Sequence, residues 1–336
     1  MRIAVFGAGA WGTALARHAG TRHEVVLWTR DPAHAEAIRA RRENARYLPG
    51  VPLEGRIDAT ADVGAAVRGA DLLVLATSVA GLRPVTGAVA AVAGRATPPV
   101  LWLCKGLEAG TALLPREVIG EAWPGAASGA LSGPSFAQEV AAGLPVALTV
   151  ASAREDVARA AVEAFHHGAA RIYRSADVVG VEVAGALKNI MAIATGISDG
   201  LGLGQNARAA LLTRGLAEIG RYGAALGARP ETFMGLAGVG DLVLTCTGDL
   251  SRNRRVGLAL ARGETLEAIL ASLGHVAEGV ACCRAVRDSA HRLGVELPIT
   301  DAVGDVLFSR RVPRDAVAAL LAREPKAEFV RAPNGD

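Results

Sequence analysis

The chain has little lysine. Of its 36 basic residues, only Lys105, Lys188 and Lys326 are lysines, and the rest are arginines. Aromatic residues are also scarce, at 4%, so the core must be built mainly from Ala, Val and Leu. The hydrophobic share of 51% supplies enough of them. No block of one charge sign appears, and 33 acidic residues nearly balance the 36 basic ones. That pattern excludes an extended nucleic-acid surface. The four cysteines, Cys104, Cys246, Cys282 and Cys283, form no Cys-x-x-Cys pair. They read as reduced, buried thiols of a cytoplasmic protein. The seven histidines lack metal-ligand spacing, so no metal is expected, and His166-His167 reads as a helix end. No uninterrupted apolar run is long enough to span a bilayer, because Glu182 and Lys188 break the best candidate. The opening "MRIAVFGAGAWG" passes straight into a strand and a Gly-rich turn, which predicts no secretory leader.

A length of 336 residues suits two domains. The first half alternates. Strand-like runs occur at "RIAVFG", "EVVLW", "DLLVLAT", "VLWLCKG", "GALSG" and "VALTVA", with helical stretches such as "TALARHAG" and "PAHAEAIRARRENA" between them. That βαβ rhythm predicts a mostly parallel, doubly wound sheet covered on both faces. After about "RIYRSADVVG" the strand pattern stops and the rest reads as helices. The expected division is a sheet domain at 1–180, a helical domain at 181–324 and a loose tail at 325–336.

"GAGAWG", Gly7 to Gly12, follows the strand "IAVF" and precedes a helix. In that context a G-x-G-x-x-G is a dinucleotide fingerprint. Gly7 permits the tight turn, Gly9 lets the backbone approach a pyrophosphate, and Gly12 allows close helix–strand packing. Trp11, exposed by position in such a loop, is placed either to cover the cofactor or to pack locally. After the second strand, "LWTRDP" offers Arg30, with Asp31 behind it. A guanidinium suits a 2′-phosphate, so NADPH is the preferred cofactor, and Asp31 leaves NADH open.

Three further stretches carry polar chemistry. Lys105 in "LWLCKG" and the turn of "LSGPSFAQEV" lie at strand ends, where ligands of open α/β sheets bind. Ser135 there suits a helix N-cap as well as a cleft contact. "AGVGDLVLTCTGDLSRNRRVG" supplies Asp241, Thr245, Ser251, Arg252 and Asn253, a set able to hold a phosphorylated polyol. Arg254 and Arg255 read as a solvated basic face. The second lysine of interest, Lys188, sits within the small, apolar run "VEVAGALKNIMAIATG".

Together "GAGAWGTALA", "CKGLE", "GPSFAQEV", "ALKNIMAIATGISDGLGLGQNARAALLTRGLAEI", "GVGDLVLTCTGDLSRNRRVG" and "VAEGV" resemble the bacterial-type NAD(P)-dependent glycerol-3-phosphate dehydrogenase family over all but the tail. The resemblance implies reversible reduction of dihydroxyacetone phosphate to sn-glycerol 3-phosphate, a phospholipid precursor. It implies a Rossmann domain followed by a helical domain like that of 6-phosphogluconate dehydrogenase. It makes Lys188 the catalytic proton donor and acceptor. It places Lys105, Gly133, Ser135, Asp241, Ser251, Arg252 and Asn253 at the substrate. It places Trp11, Arg30, Lys105, Ala137, Val276 and Glu278 at the cofactor, with Arg252 touching both ligands. Ala10 departs from the serine common in relatives, which removes one hydrogen bond to the cofactor phosphates. A homodimer stays open. The chemistry also explains why a lysine stands at 188. A developing alkoxide needs a proton, which arginine does not release. Burial lowers a lysine's pKa toward working range, and a nearby carboxylate such as Asp241 holds it up.

Overall fold

The computed structural model describes residues 1–94, 98–273 and 277–324. The tail expected at 325–336 lies outside the described residues, as does Val276. Eight strands form one sheet: β1 (Arg2–Phe6), β2 (Glu24–Trp28), β3 (Ile57–Thr60), β4 (Leu72–Leu75), β5 (Val100–Trp102), β6 (Ser128–Ser132), β7 (Val146–Ala151) and β8 (Ala170–Ser175). The order is β3-β2-β1-β4-β5-β6-β7-β8. Every neighbouring pair is parallel except β6 with β7.

The apolar runs of the sequence point to six strands. The two additional ones, β3 and β8, are the edges. Each buries only alternate residues, such as Ile57 and Ala59 in β3 and Ala170 and Ile172 in β8. They therefore lack the continuous hydrophobic run of a strand buried on both faces. In the central strands alternate residues feed opposite layers. Ile3, Val5, Leu27 and Val74 pack with Leu15, Ala16 and Ala19 on one face. Ala4, Phe6, Leu73 and Leu75 pack with Leu82, Val89 and Ile119 on the other.

From Val178 to Leu321 every regular element among the described residues is helical. The first of these, Val178–Gly200, is the axis of the second layer. Asp177 caps it, accepting from the Gly180 amide at 2.9 Å. The domain boundary expected near Gly180 falls in its first turn. The helix is long and apolar enough to cross a membrane, yet 89% of its most apolar window is buried inside the protein. Glycine and alanine along it let other helices approach on all sides, which is why a helix apolar all round sits at the centre here.

Candidate active site

The parallel strands β1, β4, β5 and β6 bring their C-terminal ends to one edge of the sheet, and the candidate site is built there. Gly7, directly after β1, has φ +127°, and a Cβ on it would stand 2.4 Å from the Ala76 carbonyl oxygen. A Cβ on Gly12 would stand 2.1 Å from the Gly7 oxygen. Both positions thus require glycine for conformation or space. Gly9 is different. It is the N-cap of helix Ala10–Gly20, and a Cβ there would meet nothing within 4 Å. That open space in front of the free amides of a helix start fits a dinucleotide pyrophosphate.

Trp11 does not occupy the exposed loop position expected of it. It lies in the first turn of the helix, half-buried. It packs with Ala137 against the small cluster of Ala14, Leu48, Val140 and Ala141. Arg30 is exposed just beyond β2. Asp31 beside it is engaged as the N-cap of helix Pro32–Arg41, with Oδ1 accepting from Ala33 N at 3.1 Å and His34 N at 3.4 Å. Arg46 adds an ion pair to Asp31 at 3.6 Å.

Across the cleft, one carboxylate serves two lysines. Lys188 Nζ donates to Asp241 Oδ1 at 2.6 Å, and Lys105 Nζ donates to Asp241 Oδ2 at 2.6 Å. Lys105 also donates to the Gly133 carbonyl at 3.1 Å, and Lys188 to Thr245 Oγ1 at 3.0 Å. These groups come from four places: the loop after β5, the turn after β6, the axial helix, and helix Asp241–Thr247. Asp241 and Lys188 are 1% and 7% exposed, so their charges are desolvated. Burial pulls the Lys188 ammonium down to about 8, with the Lys105 charge assisting and Asp241 opposing. Burial alone pushes the Asp241 carboxyl up, but the two lysines outweigh it and hold it below its ordinary value. Lys188 is therefore poised to give or take a proton near neutral pH.

The remaining expected residues gather around this array in different roles. Ser135 does not cap the following helix. Its hydroxyl turns back to donate to the Gly133 carbonyl at 3.1 Å, while Phe136 holds the N-cap position of helix Ala137–Ala141 without a side-chain bond. Ser251 is a helix cap, accepting from Arg254 N at 3.3 Å. Asn253 is buried, and both ends of its amide are engaged: Nδ2 donates to Asn189 Oδ1 at 2.9 Å, and Oδ1 accepts from Gly279 N at 3.1 Å. Glu278 opens helix Glu278–Leu293 and faces the site. Burial raises its carboxyl, against the opposing charges of Arg252, Lys105 and Lys188. Arg252 is exposed and makes no ion pair among the described residues.

Two residues escaped the sequence reading. Asn189, next to Lys188, donates weakly to the Lys105 carbonyl at 3.4 Å and accepts from Asn253, tying both sides of the site together. Its position directly after the lysine in "ALKN" was the available signal. Arg254 is not part of a solvated face. Its guanidinium pairs with Asp199 at 2.8 Å and is 11% exposed. Arg255 is exposed, as expected. The four cysteines are free and buried, and burial pushes Cys246 and Cys282 up to about 12, which leaves them unreactive thiols. No group of three or more His, Cys, Asp or Glu able to hold a metal occurs among the described residues.

A lysine that can give and take a proton, set opposite a turn shaped for a dinucleotide, is the equipment of a nicotinamide-dependent dehydrogenase. Similarity to known proteins makes the class specific. Residues 2–158 match the model of the NAD-dependent glycerol-3-phosphate dehydrogenase N-terminus, and residues 177–318 match that of its C-terminus. The chain belongs to this family and depends on NAD(P). It is 59% identical to glycerol-3-phosphate dehydrogenase [NAD(P)+] of Paucimonas lemoignei, over 99% of this chain and 100% of that one. It is 58% identical to the enzyme of the same name from Burkholderia orbicola, over 98% and 100%. The crystal structure of glycerol-3-phosphate dehydrogenase from Coxiella burnetii superposes with a TM-score of 0.92 at 39% identity, covering 96% of this chain and 99% of that one.

Proposed function

We propose that the protein reversibly reduces dihydroxyacetone phosphate to sn-glycerol 3-phosphate and so supplies the backbone for phospholipid synthesis. The observation that carries this reading is the buried Lys188–Asp241–Lys105 array at the sheet's ligand-binding edge. When bound, the reduced nicotinamide supplies the hydride. Gly7, Gly9 and Gly12 receive its pyrophosphate, with Trp11 and Ala137 beside the turn, Glu278 from the helical layer, and Lys105 and Arg252 reaching both ligands. Lys188 gives its proton to the ketone oxygen as negative charge develops there, and takes it back in the oxidation. Asp241 keeps Lys188 protonated and aimed, and Lys105 sets the balance by competing for the same carboxylate. Gly133, Ser135, Ser251 and Asn253 line the substrate end. Arg252 grips the phosphate as a planar fork, and its binding energy orients the carbonyl toward Lys188.

Within this reading residues 1–180 carry the cofactor and 181–324 the substrate. NADPH is the preferred cofactor. The support is that Asp31, the residue able to take ribose hydroxyls, already caps a helix and pairs with Arg46, while Arg30 is exposed and makes no ion pair among the described residues. A cytoplasmic location agrees with the burial of the one span-length helix among the described residues, and a homodimer is the assembly to test by sedimentation. The central experiment follows NADPH and NADH oxidation in parallel with dihydroxyacetone phosphate and with unphosphorylated dihydroxyacetone. Turnover with neither substrate refutes the assignment. Turnover without preference for the ester refutes the phosphate grip.

A further inference from the structure

We propose that Arg254 and Asp199 are positioning residues that aim Arg252 at the substrate phosphate. The proposal rests on the reading that Arg252 grips that phosphate. Arg252 is the first residue of helix Arg252–Ala261 and has no ion-pair partner of its own among the described residues. Its direction is therefore set by how that helix is held.

Two kinds of contact hold it. The first is backbone against backbone. A Cβ on Gly196 would come within 2.1 Å of the Arg254 carbonyl oxygen, and one on Gly257 within 2.1 Å of the Ile193 carbonyl oxygen. The helix thus lies directly on the axial helix that carries Lys188, with no side chain between them at these points. Such contact sets the distance between the two helices but leaves rotation about the helix axis to side chains.

The second kind supplies the rotation. Successive helix residues are about 100° apart around the axis. Asn253 turns inward to Asn189, and the next residue, Arg254, turns to the far end of the same axial helix. There its Nε and Nη2 both donate to Asp199 Oδ2, at 3.0 and 2.8 Å. Asp199 is itself steadied by Arg208 Nε at 2.8 Å on its other oxygen. The pair is shielded, with side chains 11% and 9% exposed. Asp249 also pairs with Arg254 at 2.9 Å but is 96% exposed, so it contributes little. With residues 253 and 254 both tied to the axial helix, residue 252 is left pointing to the remaining side. That side is the cleft, where its charge acts on Glu278. The network fixes the phosphate-gripping group relative to Lys188 through one rigid element.

The test compares kcat/KM for dihydroxyacetone phosphate and for unphosphorylated dihydroxyacetone in Arg254→Lys and Asp199→Asn. Arg254→Lys keeps the charge and most of the stem but loses the planar fork, and Asp199→Asn keeps the shape but loses the charge and one acceptor oxygen. A misplaced Arg252 lowers the value for the phosphate ester about 10-fold or more, with a much smaller change for the unphosphorylated ketone. In an Arg252→Ala background the same substitutions cause no further loss of ester preference, because they act only through Arg252. Equal losses for both substrates would show a general structural role and overturn the proposal, as would full retention of ester preference. If Arg252→Ala alone keeps that preference, the phosphate reading itself fails, which separates the two outcomes. Should Asp199→Asn not fold, Arg254→Lys, which retains the charge and most of the stem, carries the comparison.

Discussion

Replacing Asp241 by Asn tests the electrostatic logic of the site most directly. The carboxylate accepts from Lys188 and Lys105 on its two oxygens, each at 2.6 Å. Asparagine keeps the shape but offers one acceptor, so one lysine loses its partner and both lose a counter-charge. A unit charge pair about 4 Å apart at an effective dielectric of about 20 is worth about 4 kcal/mol. Relaxation and water entry reduce that, and a carboxylate neighbour typically moves a pKa by about 1–3 units. The Lys188 ammonium, already drawn down to about 8 by burial, loses its main support and falls further. With a shift of about 2 units, the protonated fraction at about pH 7.5 drops from roughly three quarters to roughly 3%. Reduction needs the protonated lysine, so its kcat is high at low pH and is lost as pH rises through the lysine's pKa. In Asp241→Asn that alkaline limb moves to lower pH. Oxidation needs the neutral lysine, and its acidic limb moves in the same direction. The assay is kcat against pH in both directions at saturating substrate, with circular dichroism to confirm folding. Limbs that stay in place, or move to higher pH, would refute the assignment of Lys188 as the proton carrier held by Asp241.

Other substitutions probe other parts of the site. Lys188→Ala is expected to lower turnover about 10²–10⁴-fold with NADPH binding nearly unchanged in a fluorescence titration; wild-type turnover would exclude the role. Arg30→Ala is expected to weaken NADPH roughly 10-fold or more, from the loss of a charge-assisted hydrogen bond, and to leave NADH little changed; equal losses would show that Arg30 does not read the 2′-phosphate. Away from the chemistry, burial raises the Glu182 carboxyl to about 8, against the Arg116 amide, which donates to it at 2.8 Å, and the Arg116 guanidinium, with Glu117 adding to the rise. Its folded pKa lies above the unfolded one, so its stabilising effect is complete below the unfolded value and is lost as pH rises toward 8. Glu182→Gln stays neutral and should gain on wild type by roughly a few kcal/mol between about pH 5 and 8. Parallel melting curves with no pH-dependent divergence would contradict this.

The dinucleotide half was readable because its signals are local. The fingerprint needs one strand, three glycines and one helix start within a few residues, and Gly7 and Gly12 are tied to glycine by conformation or space while Gly9 faces open space. The proposal of lysine at 188 likewise rests on a local signal, since lysine releases a proton and arginine, the chain's usual basic residue, does not. The edge strands β3 and β8 were harder to see, because half-exposed edges lack a continuous apolar run.

What the sequence by itself determined, then, is the glycine turn after the first strand, the alternating sheet and the helical second half, and it singles out Lys188 as the proposed proton carrier. Each depends on residues near one another along the chain or on a chemical property of one side chain. Only the tertiary structure decided which charges meet. Asp241 lies 53 residues from Lys188 and 136 from Lys105, yet it holds both. Arg254, which reads as solvated in a run of arginines, is a largely shielded clamp because Asp199, 55 residues earlier, packs beside it. Ser135 suited a helix cap as well as the cleft and Ser251 read as a cleft hydroxyl, yet backbone geometry made Ser135 fold back on its own turn and Ser251 cap a helix. Electrostatic energy depends on distance and burial in space. Neither is written in sequence separation, so the pairing of charges had to wait for the fold.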